Sequence, residues 1–257
     1  MRHRVPSISH QCLSDEYAKN MSYRYLIFSM TILLLAIGGA VPARCQQNVI
    51  VAFGDSTTAP RGELTAYPTL VERSLSGKGI AVRVVNSGVP GNTTEDARKR
   101  FEKDVLVEKP NVVIIQFGIN DSAVDVWRDP PATSPRVSRQ DFQKNLRHFV
   151  RTLKNRGVSV VLMTPNPLRW TDEMKKVYGK SPYQPNSADG FNVLLAGYAD
   201  IVREVSRKEE VPLVDVYRAF LEYGEQPDCS VDDLLLDGIH PNNKGQELVA
   251  KKLLPCL

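Results

Sequence analysis

Five short apolar runs constrain the fold of this 257-residue chain more than any other feature. They are rich in β-branched side chains and lie at residues 49–53, 82–85, 112–117, 158–163 and 211–216. Because apolar residues fill them continuously, they predict strands buried on both faces, as in a parallel sheet. The stretches between and after them predict helices at residues 67–76, 94–104, 138–156, 187–208 and 243–254. This alternation predicts a doubly wound α/β sandwich.

Two stretches do not fit the alternation. Residues 122–137 are rich in proline and arginine, and residues 166–186 contain Trp170 and Tyr183. Each follows the end of a predicted strand, and ligands of open α/β sheets bind beyond the carboxyl ends of the strands. The two stretches are therefore candidate substrate loops, with surface insertions as the alternative. Trp170 and Tyr183 either stack on a sugar ring or pack within their loop.

The N-terminal part of the chain predicts export to the periplasm or the medium. Residues 25–43 carry no charge, Arg24 precedes them and small residues end them, which is typical of a secretory signal cleaved after Ala43. This segment also approaches the length of a membrane span, so an uncleaved anchor is the alternative. We expect residues 1–43 to be an extension with a signal peptide or anchor, and residues 44–257 to form a single domain. Arg44 precedes Cys45, where a lipoprotein signal needs a small residue, which argues against lipid attachment.

The charge balance argues against a nucleic-acid-binding protein. The net charge is +4. Without residues 1–43, which hold four basic and two acidic residues, 29 basic and 27 acidic residues remain. No basic cluster interleaved with aromatic residues is present, so nucleic acid is not an expected partner. The three cysteines after the signal, Cys45, Cys229 and Cys256, permit at most one internal disulfide, and its pairing is open.

Four short segments carry the residue types that acyl transfer needs. They read Gly-Asp-Ser-Thr at residues 54–57, Asn-Ser-Gly-Val-Pro-Gly-Asn at 86–92, Gly-Ile-Asn-Asp at 118–121 and Asp-Gly-Ile-His-Pro-Asn at 237–242. The first three stand at the ends of predicted strands. Acyl transfer requires a nucleophile, a base, an acid that orients the base, and hydrogen-bond donors for an oxyanion.

The first and last segments supply a candidate triad. Ser56 follows the first strand and is the candidate nucleophile, at the expected start of a helix whose N-terminus favours negative charge. His240 is the candidate base, and Asp237 can reach its other ring nitrogen across a tight turn. Two further histidines precede the signal, and His148 lies off the apolar stripe of its helix, which predicts a solvated side chain.

Three donors can surround the oxyanion: the backbone N–H groups of Ser56 and Gly88, and the side-chain amide of Asn120. Asp55 and Asp121 adjoin these positions and are expected to hold the loops by hydrogen bonds. Each residue also has an ordinary structural alternative, because serine caps helices, glycine suits turns with positive φ and asparagine suits turns.

Together, the four segments resemble the conserved blocks of the SGNH (GDSL-type) hydrolases. Ser56, Gly88, Asn120 and His240 occur in the family's order, within a resemblance that covers residues 48–257. The resemblance implies a flavodoxin-like three-layer α/β/α sandwich with a central five-stranded parallel sheet. It also implies an esterase, lipase, thioesterase or carbohydrate deacetylase. The first block continues as Ser-Thr-Thr instead of the common Ser-Leu or Ser-Ile, which leaves the substrate subgroup open.

We therefore expect a serine esterase without a metal or other cofactor, with carbohydrate O-acetyl esters as the favoured substrates. The alternatives are a lysophospholipase or thioesterase, an inactive sugar-binding protein of the same fold, and a metal-dependent phosphoesterase. A single candidate histidine disfavours the metal site, and arginine-bearing loops disfavour a long apolar groove. The Gly-x-Ser-x-Gly elbow is absent around Ser56, so an α/β-hydrolase fold is not expected. Membrane contact is expected only through an uncleaved N-terminal segment.

Overall fold

The computed structural model describes residues 47–257, and its centre is one parallel sheet. The strands are β1 (Asn48–Gly54), β2 (Val82–Gly88), β3 (Val112–Gln116), β4 (Ser159–Met163) and β5 (Leu213–Val214). Their spatial order is β2-β1-β3-β4-β5, and every pairing is parallel. This is the strand order of the flavodoxin-like folds. The predicted five-stranded parallel sheet is confirmed.

Helices cover both faces of the sheet. Within residues 47–257 they are α1 (Tyr67–Gly77), α2 (Thr94–Asp104), α3 (Ile119–Ser122), α4 (Arg139–Lys154), α5 (Asp172–Tyr178), α6 (Leu195–Glu209), α7 (Val216–Gly224) and α8 (Asn243–Leu253). The apolar sides of α2, α4 and α6 pack on one face, and those of α1, α7 and α8 pack on the other. The predicted three-layer α/β/α sandwich is therefore confirmed.

The central strand β1 shows why the apolar runs are continuous. Val51 and Phe53 belong to the core under α2, α4 and α6, whereas Ile50 and Ala52 belong to the core on the opposite face. All four side chains are buried. Because successive residues of a strand point to opposite faces, a strand covered on both sides needs an apolar residue at every position.

Side-chain caps set the starts of the helices that frame the site. Thr93 and Asp96 form a reciprocal capping box at the start of α2. The Ser138 hydroxyl accepts the N–H of Asp141 at the start of α4, and Asn242 caps α8. The last of these caps fixes the point where the chain leaves the loop that carries His240.

The prediction that a helix begins at Ser56 is wrong. Thr58 and Ala59 donate backbone hydrogen bonds to the Asp55 carbonyl, which makes a single turn, and the first helix begins only at Tyr67. Pro60 stops the turn, because proline lacks an N–H and disfavours the helical conformation in the residue before it.

Two other boundaries differ from the sequence predictions, and two short helices are additional to them. The strand predicted at 211–216 shrinks to Leu213–Val214, because Asp215 caps a helix, α7, that begins at Val216. The helix predicted at 187–208 begins only at Leu195, after a series of turns. The short helices α3 and α5 lie where the sequence predicts none, α3 shortly after β3 and α5 within the stretch 166–186.

The predictions for residues 1–43, including the signal peptide or anchor, lie outside the described residues. Among the residues that the structure describes, no helix is long and apolar enough to cross a membrane. Cys229 and Cys256 form no disulfide among the described residues, and Cys45 lies outside them, so a pairing with Cys45 stays open.

Candidate active site

Ser56 lies on the turn that directly follows β1. The buried carboxylate of Asp55 holds this turn by accepting hydrogen bonds from the N–H and the hydroxyl of Thr57, at 2.9 and 2.8 Å. Burial raises the pKa of Asp55, although the hydrogen bonds from Thr57 lower it. The backbone N–H of Ser56 has no hydrogen-bond partner among the described residues. Both the hydroxyl and the backbone N–H of Ser56 are therefore available to a ligand, because no group within residues 47–257 accepts a hydrogen bond from the N–H.

The structure brings Ser56, His240 and Asp237 into one hydrogen-bonded chain. His240 Nε2 lies 2.9 Å from Ser56 Oγ, and His240 Nδ1 lies 2.8 Å from Asp237 Oδ2. A carboxylate only accepts hydrogen bonds, so it selects the tautomer with the proton on Nδ1. Nε2 then has a free lone pair facing the serine hydroxyl. This is the geometry in which an imidazole can remove a proton from Ser56.

The Asp237 carboxylate also shapes the backbone of its own loop. Its Oδ1 accepts the N–H groups of Ile239 and His240, at 3.1 and 2.8 Å, which holds His240 at a fixed position in the turn. Partial burial raises the pKa of Asp237, but the hydrogen bonds from the His240 ring and backbone outweigh it and hold the pKa well below its usual range. Arg61 is a distant partner, 4.0 Å from Oδ2 and partly exposed. Asp237 is therefore a stable anion at the end of the hydrogen-bonded chain.

Two buried amides fasten the His240 loop to the rest of the molecule. Gln246, on α8, donates to the Thr57 carbonyl at 3.1 Å and accepts the N–H of Tyr67 at 2.8 Å. Asn166, after β4, donates to the Ile239 carbonyl at 2.8 Å. These bonds fix the histidine loop relative to the nucleophile turn, so the distance between His240 and Ser56 is set by buried contacts.

Gly88 occupies a different role from the one expected. Its N–H donates to Asn86 Oδ1 at 3.0 Å, so it is not free for an oxyanion in this structure. A Cβ at Gly88 would lie 2.3 Å from the Ala59 backbone nitrogen, far inside contact distance. Gly88 is therefore needed because strand β2 passes against the nucleophile turn, and Asn86 braces the same turn through the Thr58 carbonyl at 2.8 Å.

A second glycine in the same segment fits the donor role better. Gly91 has φ of +78°, and its N–H has no hydrogen-bond partner among the described residues. It precedes Asn92, whose carbonyl accepts a hydrogen bond from Asn120 Nδ2 at 3.2 Å. Gly91 is thus beside the expected amide donor. The sequence offered both glycines, and only the backbone conformation separates them.

The Asn120 side chain is bonded on both sides. Its Nδ2 faces the Asn92 carbonyl and, at the limiting distance of 3.5 Å, Asp55 Oδ2. Its Oδ1 accepts from Arg136 Nη1 at 3.3 Å. Arg136 itself is held by the buried carboxylate of Asp125, at 3.0 and 2.7 Å. The amide nitrogen therefore faces the Asn92 carbonyl and the Asp55 carboxylate, and the amide oxygen faces Arg136.

Asp121 fixes the position of the segment that carries Asn120. It is fully buried, and one of its oxygens accepts hydrogen bonds from the N–H and the hydroxyl of Thr94 at the start of α2. Its Oδ2 is buried without a hydrogen-bond partner among the described residues. Burial raises the pKa of Asp121 to about 7, although the bonds from Thr94 lower it. Asp121 thereby ties the Asn120 segment to the helix that follows Gly91.

Arg100, on α2, is a site residue that the sequence reading missed. Its guanidinium donates to the carbonyls of Gly54 and Ser87 and to Asn92 Oδ1, at 2.8, 2.9 and 2.6 Å. It also lies over the Phe53 ring, 4.5 Å from the centroid. A single buried arginine thus joins the ends of β1 and β2 to the Gly91 loop. Its sequence context, a charged helix, gives no signal for this role.

A small cavity opens beside Ser56 and His240. It has a volume of about 100 Å³. Apart from Ser56 and His240, its polar members are Asn120, Ser122 and Arg136. The rest of the wall is apolar or aromatic and consists of Ile119, Ala123, Leu168, Tyr178, Tyr183, Phe191, Leu194, Leu195 and Ile239. The stretches 122–137 and 166–186 both contribute, as candidate substrate loops would. Tyr183 lines the cavity, whereas Trp170 stacks on Phe191 and does not reach it.

His148 lies apart from the Ser56 site. His148 is exposed on α4, in a larger open groove of about 550 Å³ that none of the Ser56, Asp237 or His240 side chains touches. Among residues 47–257, no three His, Cys, Asp or Glu side chains converge as metal ligands would. The larger groove is a shallow helix surface, so the smaller cavity beside Ser56 is the candidate active site.

Comparison with known proteins decides the family. Residues 52–248 match the sequence profile of the GDSL-like lipase/acylhydrolase family. The chain belongs to that family. Among its relatives, the uncharacterized lipoprotein YqeF of Bacillus subtilis is 33% identical, over 86% of this chain and 94% of its own. An acetylxylan esterase of Geobacillus stearothermophilus is 28% identical, over 68% of this chain and 72% of its own.

Solved structures place the fold in the same family. A lipase/acylhydrolase from Enterococcus faecalis superposes with a TM-score of 0.60 at 30% identity, over 81% of this chain and 94% of that one. The Geobacillus acetylxylan esterase Axe2 superposes with a TM-score of 0.65 at 25% identity, over 81% and 93%. This GDSL-family protein is accordingly a carboxylic ester hydrolase with the SGNH hydrolase fold.

Proposed function

We propose that this GDSL-family protein is a serine esterase in which Ser56 attacks the ester carbonyl. The observation that carries the proposal is the continuous hydrogen-bonded chain from Ser56 through His240 to Asp237. As Ser56 Oγ bonds to the carbonyl carbon, its proton passes to His240 Nε2, and Asp237 stabilises the resulting imidazolium. Collapse of the tetrahedral intermediate breaks the bond to the alcohol oxygen, which takes the proton from Nε2. Water then repeats the sequence on the acyl-serine, releasing the carboxylic acid and restoring Ser56.

The oxyanion of the tetrahedral intermediate needs donors that are already in place. We assign this role to the N–H of Ser56, the N–H of Gly91 and Asn120 Nδ2. The two backbone groups have no hydrogen-bond partner among the described residues, and the amide nitrogen is aimed by its neighbours. Gly91 replaces Gly88 in this assignment, because the N–H of Gly88 is bonded to Asn86.

The cavity supports short acyl groups as the substrate class. The volume of the cavity, about 100 Å³, is below the roughly 300–1,000 Å³ of pockets that hold drug-sized ligands. An acetyl group fits such a space, whereas a fatty acyl chain needs a longer groove. Relatives named acetylxylan esterase support O-acetyl groups of carbohydrates as the substrates. A lysophospholipase or thioesterase with a long acyl chain is the alternative.

We further propose that the protein is exported or membrane-associated. The support is the uncharged segment at residues 25–43 and a relative whose name describes it as a lipoprotein. N-terminal sequencing of protein from the medium, the periplasm and the membrane fraction tests this. A mature N-terminus near Arg44 is the expected result, and retention of residues 25–43 would favour an anchor.

Labelling with a fluorophosphonate tests the nucleophile. Ser122 lines the same cavity, and its hydroxyl donates to the Ile119 carbonyl at 3.1 Å, so Ser122→Ala is a matched control. We expect the wild type and Ser122→Ala to be labelled and to turn over substrate, and Ser56→Ala to do neither. Labelling of Ser56→Ala at the wild-type rate would reject Ser56 as the nucleophile.

A substrate series tests the acyl preference. p-Nitrophenyl esters from acetate to octanoate, together with acetylated xylo-oligosaccharides and a lysophospholipid, cover the competing classes. We expect kcat/KM to fall steeply beyond the shortest chains, and acetate to be released from the oligosaccharides. A rate on octanoate equal to or above that on acetate would support the long-chain alternative. Activity in the presence of a strong chelator is the control for a metal-dependent reaction.

A further inference from the structure

Among the described residues, Arg136 is the one charged side chain in the wall of the cavity beside Ser56 and His240. It belongs to none of the four sequence segments that define the site. Its guanidinium makes two kinds of contact: Nε and Nη2 donate to Asp125 Oδ1 at 3.0 and 2.7 Å, and Nη1 donates to Asn120 Oδ1 at 3.3 Å. It therefore connects a buried carboxylate to the proposed oxyanion donor.

The orientation of the Asn120 amide decides whether it can serve the oxyanion. Its two ends have nearly the same shape, but one offers two N–H donors and the other only lone pairs. A guanidinium has donors and no acceptor, so it can satisfy only Oδ1. The Asn92 carbonyl and Asp55 Oδ2, on the other side, can satisfy only Nδ2. A flipped amide would place its oxygen lone pairs against the oxyanion.

Arg136 is itself held firmly. The Asp125 carboxylate is only 3% exposed, and it also pairs with Arg128 at 2.7 Å. Asp125 thus binds two arginines, of which one continues to Asn120 and the other is exposed beside Trp127. Two N–H groups directed at one buried oxygen fix the plane of the Arg136 guanidinium, and with it the position of Nη1.

We propose that Arg136 is a positioning residue that holds the Asn120 amide with its nitrogen toward the oxyanion. This role rests on the proposed function, in which Asn120 is an oxyanion donor. Arg136 acts through Asn120 and makes no contact with the ester itself. Its loss lowers the rate of the chemical step and leaves substrate binding unchanged, because an oxyanion donor acts mainly in the transition state.

A double-mutant cycle separates this role from a purely structural one. Kinetics on p-nitrophenyl acetate are measured for wild type, Arg136→Met, Asn120→Ala and the double variant, with thermal melts of each. Arg128→Met is the matched control, because Arg128 binds the same Asp125 carboxylate and does not contact Asn120. Arg136→Lys keeps a charge beside Asp125 and is a second test of the same contact if Arg136→Met does not fold.

The expected results follow from the order of contacts. Removing an oxyanion donor lowers kcat by about 10² to 10³, so Asn120→Ala falls in that range. Arg136→Met removes the contact that holds the amide oxygen, and its kcat falls about 10- to 100-fold. KM stays within about twofold in both. In the Asn120→Ala background, Arg136→Met has an effect below about twofold, because its target is gone. Arg136→Lys recovers part of the lost kcat, and Arg128→Met retains all of it.

Three results would overturn the proposal. One is a kcat of Arg136→Met, or of Arg136→Lys where that variant alone folds, within about twofold of wild type. Another is a raised KM at unchanged kcat, which would place Arg136 on the substrate. The third is an equal loss in the presence and absence of Asn120. Complete loss of turnover in Ser56→Ala alongside any of these results would retain the proposed nucleophile and reject only the role of Arg136.

Discussion

Replacing Asp237 by asparagine removes a charge and reverses a tautomer with almost no change of shape. Oδ1 of Asp237 accepts two backbone N–H groups, from Ile239 and His240, so an asparagine must place its oxygen there. Its NH₂ group then takes the Oδ2 position, 2.8 Å from His240 Nδ1, and replaces the closer of the two oxygens that this ring nitrogen contacts, the other being Oδ1 at 3.0 Å. Because two donors oppose each other at the shorter contact, the tautomer with the proton on Nε2 is favoured. The imidazole then directs an N–H toward Ser56 Oγ and can no longer accept its proton.

The cost has two parts. Restoring the active tautomer leaves a partly buried donor unpaired, which costs about 1–3 kcal/mol. Losing the carboxylate removes the charge that stabilises the imidazolium, worth about 2 kcal/mol for a pair that is partly exposed. Together these lower kcat by about 10² to 10⁴. The melting temperature stays within a few degrees, because the oxygen that holds the turn is retained.

The assay is steady-state hydrolysis of p-nitrophenyl acetate, with a thermal melt of each variant. Arg61→Gln is the control, because Arg61 approaches the same carboxylate at 4.0 Å without touching the imidazole, and its kcat is expected within about fivefold of wild type. A folded Asp237→Asn enzyme with kcat within tenfold of wild type would refute the tautomer argument. Equal losses in Asp237→Asn and Arg61→Gln would show that charge near the loop matters and the contact with Nδ1 does not.

Three further predictions use the same measurements. His240→Ala loses at least about 10³ in kcat while the exposed His148→Ala stays within about twofold, and the opposite result would exclude His240 as the base. Arg100→Met lowers both kcat and the melting temperature, because three acceptors on Gly54, Ser87 and Asn92 lose their donor. An unchanged kcat would show that catalysis does not depend on how Arg100 holds the Gly91 loop. The raised pKa of Asp121, about 7, means that the folded state keeps a proton that the unfolded chain releases above about pH 4, so the stability of the wild type falls as the pH rises from about 4 to 7. Asp121→Asn removes this trend. The prediction would be contradicted if the melting temperatures of the wild type and of Asp121→Asn changed equally between pH 5 and pH 8.

The sequence predicts most of the framework because the apolar pattern reflects burial directly. β1, β3 and β4 lie within two residues of the predicted runs, since strands covered on both faces admit no polar residue in their interior. The order of the four segments predicts their convergence, because the carboxyl ends of parallel strands share one edge of the sheet. The His240 side chain lies within hydrogen-bond distance of both Ser56 and Asp237.

The rest depends on contacts that no local pattern encodes. The sequence predicts a helix at Ser56 because aspartate, serine and threonine occur both in single turns and at the starts of helices. Pro60 is the local sign that the turn does not continue. Gly88 and Gly91 lie three residues apart, and which N–H is free depends on the Asn86 side chain. Arg100 and Arg136 were overlooked because an arginine on a helix or in a loop is usually solvated, and its burial is set by the fold.

The bond from Gln246 to the nucleophile turn has a consequence for when the enzyme becomes active. Ser56 and its base are separated by 184 residues, and Gln246 lies 189 residues after the carbonyl it binds. A chain still under synthesis can therefore expose its serine long before it possesses a histidine to activate it. Removal of the last 20 residues or so, by a protease or by premature termination, would silence hydrolysis and free the serine turn from its anchor. Ester hydrolysis by this protein is thus a readout of whether the chain extends through the His240 loop and Gln246.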